Sequence, residues 1–295
     1  MKTVGFAGLG RIGLPMARNL LGKGWEVLVY DIREEACTEL AEQGAEVAAS
    51  PAVMASRCEH IGVCVRDDDD VEAVFEGVEG LLAGARPGDS AVPRLIVSLH
   101  STISPATIRS TAKRAAKLGV HVIDAPIGGG VDGATNATLT TMVGGDAEVF
   151  ERARPVLESS GSSVIHCGAL GAGMAAKLCN NLLGYAAYAA GTEALLLARA
   201  TGLGSDRLRE VTTSSGNMTP PVVSLSRSRE RIEDGTSSSE STDFLKHAVI
   251  LAEKDLRLVL ELASEVGVEV PSIALVRDLV EHTFGVTVPG LRRDG

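Results

Sequence analysis

At 295 residues, with 45% hydrophobic and only 3% aromatic content, the chain is long enough for two domains with aliphatic, alanine-rich cores. A formal charge of −10 and a pI near 5.2 argue against non-specific binding to nucleic acid or to an anionic membrane, though not against a locally positive site for an acidic substrate. The five cysteines (Cys37, Cys58, Cys64, Cys167 and Cys179) are odd in number and form no CxxC pair, so they read as reduced core thiols; neither a disulfide frame nor a metal site is expected.

The chain enters a strand almost at once, which leaves no room for a cleavable signal and predicts a cytoplasmic protein. That strand, Val4 to Ala7, runs into Gly8-Leu9-Gly10-Arg11-Ile12-Gly13, then a helix over 14–21 and an apolar strand over 26–30 that ends in Asp31. This is the order a dinucleotide-binding βαβ unit requires. Gly8 permits the tight turn, Gly10 lets the backbone approach a pyrophosphate, and Gly13 lets the helix sit close on the strand. The helix N-terminus then offers N–H groups and a positive dipole end to the phosphates. Asp31, eighteen residues after Gly13, stands where a carboxylate holds the adenosine ribose hydroxyls. Its charge repels a 2′-phosphate and favours NAD, while Arg33 keeps NADP open.

Further strands are predicted over 61–65, 95–99, 120–123 and 138–143, with helices over 105–118 and 147–157. Such alternation predicts a mostly parallel sheet covered on both faces. Beyond residue 171 the strand signals fade, and helices are predicted over 171–201, 206–213, 244–266 and 272–284. The expected architecture is an α/β Rossmann-type dinucleotide-binding domain over 1–163, followed by an all-α domain over 164–295. The Ser-, Arg- and Pro-rich interval 214–241 reads as a loop or short helices. The longest apolar stretch, 182–200, carries Tyr185, Tyr188 and Glu193, so a buried helix is expected there and not a membrane span.

Four segments carry candidate chemistry. Lys177 and Asn181 are four apart on the predicted helix after Gly171 and share a face. A lysine among apolar neighbours has its charged form disfavoured, which brings it toward proton transfer, and the alternative is an ordinary helix lysine reaching water. Asp124-Ala125-Pro126-Ile127-Gly128-Gly129-Gly130 ends a strand, where successive glycine N–H groups can form an anion-binding nest or simply a flexible turn. Lys254-Asp255-Leu256 offers a cation on a helix that local pattern alone would leave as a solvated face. Ser101 and Thr102 follow a strand, either as a helix cap before Pro105 or as hydroxyls toward a cofactor. Asp67 to Asp70 reads as an acidic helix start.

Together these motifs resemble the β-hydroxyacid dehydrogenases, the group that includes 3-hydroxyisobutyrate dehydrogenase. Gly5 to Leu20 is similar to the family's cofactor signature, Asp124 to Gly130 to its substrate signature, Gly171 to Asn181 to its catalytic helix, and Lys254 to Leu256 to its cofactor-and-substrate lysine segment. The resemblance implies Lys177 as general acid/base, Asn181 beside it holding substrate, and Gly128, Gly129 and Gly130 at the substrate carboxylate. Gly8, Leu9, Gly10, Arg11, Ile12, Gly13, Asp31, Arg33, Val65, Arg66, Thr102 and Lys254 make up the expected NAD or NADP site. It further implies a small carboxylate substrate and a homodimer or homotetramer built through the helical domain. Two positions depart from the family: Gly128 stands where many members have serine, and Arg66 where many have proline or another uncharged residue. The rival expectations are an imine reductase of the same fold, which usually lacks the lysine, and a non-catalytic nucleotide-sensing protein.

Overall fold

The computed structural model describes residues 2–85 and 95–291. The chain divides into two compact units, Met1–Lys177 and Leu178–Gly295. The first unit opens with β1 (Thr3–Ala7), α1 (Gly13–Gly22), β2 (Glu26–Tyr30), α2 (Glu35–Glu42), β3 (Glu46–Val47) and α3 (Pro51–Arg57). It continues with β4 (His60–Val63), α4 (Asp68–Phe75), α5 (Leu81–Gly84), β5 (Leu95–Leu99), α6 (Pro105–Ala116) and β6 (Val120–Asp124). The last part holds β7 (Ile127–Gly128), α7 (Gly130–Thr135), β8 (Leu139–Gly144), α8 (Ala147–Leu157), β9 (Gly161–Gly168) and the start of α9 (Ala172–Ala200).

The strands form one sheet in the order β3-β2-β1-β4-β5-β6-β8-β7, with β9 on β8. Neighbours from β3 to β6 are parallel, and β8 runs antiparallel to β6. The inner strands β4 and β5 are buried at every position, as a sheet covered on both faces demands. On one side Phe6, Leu9, Met16, Leu20, Val29 and Leu40 share a core; elsewhere Ile96, Ile123, Val143, Phe150 and Leu157 share another. Local chemistry fixes the helix starts. Ser50, Asp67, Ser104 and Asp146 each accept backbone N–H bonds at N-cap positions, and Pro51 and Pro105 occupy first turns.

The second unit continues α9 and adds α10 (Ser205–Ser214), α11 (Pro220–Glu233), α12 (Ser239–Val266), α13 (Pro271–Asp278) and α14 (Val280–Phe284). Leu225, Leu245, Val249, Ala252, Val280 and Phe284 form its core, with Tyr185 and Tyr188 packed against them. Among the described residues no helix is long and apolar enough to cross a membrane.

Four expectations require correction. The interval 214–241, expected as a loop or short helices, holds one fourteen-residue helix, α11, which buries Val222, Leu225, Ser226 and Arg229 on one face. Its arginine is a core residue because Glu233, Thr283 O and His282 O take up its donors. Arg209 of α10 is satisfied likewise by Ser226, Asp206 and Glu230. Second, α6 is capped by Ser104, not by Ser101. Third, β9 carries the sheet to Gly168, past the boundary placed at residue 163, because it pairs along β8 in parallel. Fourth, Cys179 is exposed, and only Cys37 and Cys58 are fully buried thiols; all five are free.

Candidate active site

The expected cofactor residues of the first unit follow the C-terminal ends of adjacent parallel strands: Gly8 after β1, Asp31 after β2, Val65 and Arg66 after β4, and Thr102 after β5. Ligands of open α/β sheets bind at this edge.

The three glycines of the first turn have different reasons to be glycine. Gly8 has φ +90°, and a Cβ there would lie 2.3 Å from Cys64 O. A Cβ on Gly13 would lie 1.9 Å from Gly8 O. At Gly10 a Cβ would meet nothing within 4 Å, and the residue is exposed. Its backbone is bare toward open space, which is the cradle a diphosphate needs. Leu9 is buried, Ile12 is half-buried and Arg11 is exposed.

Asp31 braces the same turn. One carboxylate oxygen accepts the Leu9 N–H at 2.7 Å; the other accepts the Arg33 N–H at 2.9 Å and Arg33 Nε at 3.2 Å. The Asp31 side chain is 8% exposed and that of Arg33 56%, so the acid lies beneath a cation that faces outward. Val65 is held at both ends of its peptide by one hydroxyl: Ser101 Oγ accepts from Val65 N at 2.8 Å and donates to Val65 O at 2.7 Å. Ser101 is therefore a brace of the β4 loop, and Thr102 beside it is half-buried. Arg66 forms a two-pronged pair with Asp70 at 2.7 and 2.9 Å, with its side chain 79% exposed. That guanidinium holds the Asp70 carboxyl below its ordinary range. Its partner lies in the first turn of α4, which accounts for a charged residue at this position.

Gly128 to Gly130 follow β6. Gly128 pairs with Thr140 of β8, and a Cβ there would find Met142 Cε at 3.7 Å and Thr140 O at 4.0 Å, ordinary contacts. Gly129 and Gly130 have φ +118° and +62°, a backbone that side chains rarely adopt, and both are exposed. The backbone thus requires glycine at the second and third positions and leaves the first open to other residues.

Lys177 is half-buried near the start of α9. That helix start is anchored from a distance: the Asp124 carboxylate accepts the Gly171 N–H at 2.7 Å and the Met174 N–H at 2.6 Å. In the second unit, Asn181 lies one turn further along the same helix. Its Nδ2 donates to Asp255 Oδ2 at 2.9 Å, and the Tyr185 hydroxyl donates to the same oxygen at 3.1 Å. A carboxylate only accepts, so the Asn181 amide nitrogen must face it, and Oδ1 points away as an acceptor. Lys254 Nζ stands 3.5 Å from Asp255 Oδ1, with its side chain 20% exposed. Burial, then the Asp255 charge, push the Tyr185 hydroxyl well above its usual range, so it stays a donor. Sequence alone gives Asp255, Tyr185 and Asp124 no role, although Asp124 and Asp255 stand within its motifs. Only Asp124 carried a signal, as an acid closing the mostly apolar strand over 120–123.

An open glycine turn braced by an acid from the next strand belongs to dinucleotide-dependent oxidoreductases. Comparison with known proteins narrows the class. Residues 3–182 match the NAD-binding domain of 6-phosphogluconate dehydrogenase, and residues 171–286 the NAD-binding domain of NADP-dependent 3-hydroxyisobutyrate dehydrogenase. The 3-hydroxyisobutyrate dehydrogenase of Pseudomonas aeruginosa is 38% identical over 288 residues, covering 95% of this chain and 91% of that protein. The Mycobacterium tuberculosis 3-hydroxyisobutyrate dehydrogenase, solved with L-serine, is 32% identical with a TM-score of 0.80, covering 96% and 93% of the two chains. Psf3, solved with NADP+ and 2-OPP, is 26% identical with a TM-score of 0.77, covering 95% and 93%. The Streptomyces aurantiacus imine reductase, 22% identical with a TM-score of 0.65 over 95% and 94% of the chains, shares the fold alone. The chain belongs to the β-hydroxyacid dehydrogenase family, NAD(P)-dependent oxidoreductases of the 3-hydroxyisobutyrate dehydrogenase type that act on CH–OH groups.

Proposed function

We propose that the protein interconverts a small 3-hydroxy acid, of the 3-hydroxyisobutyrate kind, and its semialdehyde or oxo acid, with Lys177 as general acid/base. The observation that carries this is the anchored start of α9, which holds the Lys177 turn in one register beside the end of β6. A nicotinamide cofactor supplies the hydride chemistry when bound. The protein's own groups do the rest. Gly10 and the α1 N-terminus hold the diphosphate, and the backbone of Gly129 and Gly130 holds the substrate carboxylate. Lys177 Nζ takes the hydroxyl proton during oxidation and returns it during reduction. Asn181, its amide nitrogen committed to Asp255, offers Oδ1 to a donor, either the substrate hydroxyl or an ammonium. Lys254 adds a positive charge for a carboxylate or phosphate.

NAD is the favoured cofactor, because the Asp31 carboxylate under Arg33 repels a 2′-phosphate. The exposed apolar residues of α9 are proposed to pair with a second copy, giving a homodimer or homotetramer. The test follows reduced-nicotinamide absorbance with both cofactors across 3-hydroxy acids and their semialdehydes. Lys177→Ala should lower kcat by about 100-fold or more, with cofactor affinity within about twofold of wild type. Turnover confined to an amine plus a ketone would instead support the imine reductase. Cofactor binding with no turnover at all would support the nucleotide sensor.

A further inference from the structure

Asp124 stands at the C-terminal end of β6, where β6, β8 and β9 converge: it pairs with Gly144 of β8, which in turn pairs with Gly168 of β9. Its side chain is wholly buried. At the start of α9 its Oδ1 accepts the Gly171 N–H and its Oδ2 the Met174 N–H, from residues 47 and 50 positions further along the chain. The helix has no cap of its own, since Gly168-Ala169-Leu170-Gly171 contains no side chain that can accept a bond. The surroundings are fitted to the carboxylate. A Cβ on Gly144 would lie 2.4 Å from Asp124 Oδ1, and a Cβ on Gly173 would lie 2.9 Å from Oδ2 and 2.4 Å from Met142 O. Two glycines therefore leave the space the acid fills. Burial pushes the Asp124 carboxyl up, and the N–H groups of Gly171, Met174 and Gly173 oppose that rise.

Lys177 follows Met174 by three residues, less than one turn. Each helical residue advances 1.5 Å and rotates about 100°, so fixing the N–H groups of residues 171 and 174 fixes the height and direction of residue 177. We infer that Asp124 is a positioning residue for Lys177: its carboxylate locks the first turn of α9 to the sheet edge and thereby sets where the lysine amine stands relative to the glycine turn after β6. This rests on Lys177 being the acid/base.

Asp124→Asn tests it in the full-length enzyme, because the amide keeps one acceptor and turns a donor toward the other N–H. The expected result is a folded protein whose kcat falls by about 10–100-fold, the penalty of a misplaced catalytic group. Cofactor affinity should stay within about twofold, since the glycine turn after β1 is untouched. The solvent deuterium isotope effect on kcat should rise, because proton transfer becomes slower. A merely structural role would lower the active fraction and leave that isotope effect unchanged. In the Lys177→Ala background, adding Asp124→Asn should change kcat by less than about threefold, since the residue acts through the lysine. Unchanged kcat and isotope effect in folded Asp124→Asn would overturn the inference, as would full additivity with Lys177→Ala. If the asparagine variant does not fold, Asp124→Ser keeps one hydroxyl acceptor in the slot and is read in the same way. Failure of both to fold assigns the carboxylate to the fold alone and rejects the inference. Near-full turnover by Lys177→Ala would remove the acid/base assignment itself, whatever the Asp124 variants do.

Discussion

Gly10 and Gly8 are two residues apart and are glycine for opposite reasons. A methyl group at Gly8 meets Cys64 O at 2.3 Å on a left-handed backbone, whereas at Gly10 it meets nothing within 4 Å. Gly8→Ala should therefore destabilise the fold by roughly 2–4 kcal/mol, as a clash and a strained φ combine. Gly10→Ala should leave the thermal midpoint unchanged and weaken NADH binding by about tenfold or more, because the methyl occupies the diphosphate's approach. Fluorescence titration beside a melting curve separates the two. Equal NADH affinity in Gly10→Ala would show that this turn does not hold the cofactor. The glycine motif was legible because its residue types and spacing are local, six residues between a strand and a helix, even though one of its contacts, Gly8 against Cys64 O, is not. The roles of Asp124, Asp255 and Ser101 were not, because each bonds backbone or side chains 36 to 74 residues away.

At the scale of elements, the long helix α9 carries Leu183, Ala190 and Leu197 at seven-residue spacing, and all three are exposed. The leucine side chains stand 69% and 68% open. A stripe repeating every seven residues is the pattern of a helix–helix seam. If α9 pairs with a second copy as proposed, replacing both leucines by glutamate should convert that oligomer to a monomer, read by light scattering on a sizing column. A wild-type protein that is already monomeric would exclude this seam. Helices with local caps, such as α4 behind Asp67 and α8 behind Asp146, were legible, because the cap and the first turn are neighbours in sequence. The helix α11 was hidden because Arg229 looks like a loop residue until its distant acceptors, His282 O and Thr283 O, are known. The two-residue strands β3 and β7 offered no periodicity to detect.

At the scale of the molecule, stability at low pH turns on two histidines inside the sheet. His60 and His100 are both buried; His60 Nε2 shares a hydrogen with Ser98 Oγ at 2.8 Å, and His100 Nδ1 donates to Ala125 O at 2.9 Å. Burial pushes His60 down to about 3, with the neighbouring His100 adding to the effect, and pushes His100 down to about 4. Both stay neutral in the native state at pH values where the unfolded chain takes up protons. Their contribution is complete above about pH 6.5, and stability falls as pH drops from there toward 4, by up to about 1.4 kcal/mol per pH unit for each histidine. The raised Asp124 carboxyl acts in the opposite sense, while His121, also lowered by burial, acts in the same sense as the two histidines. Urea midpoints should drop between pH 7 and pH 5, and a His60→Gln, His100→Gln double variant should flatten that slope. A midpoint independent of pH over this range would show that the histidines are not protected.

The role of Lys177 is tested by single-turnover oxidation of 3-hydroxyisobutyrate by enzyme saturated with NAD, followed by the growth of reduced-nicotinamide absorbance in wild type and Lys177→Ala. Rapid hydride transfer is expected in the wild type, slowing by about 100-fold or more in the variant while NAD still binds. Equal rates in the two proteins would contradict that role.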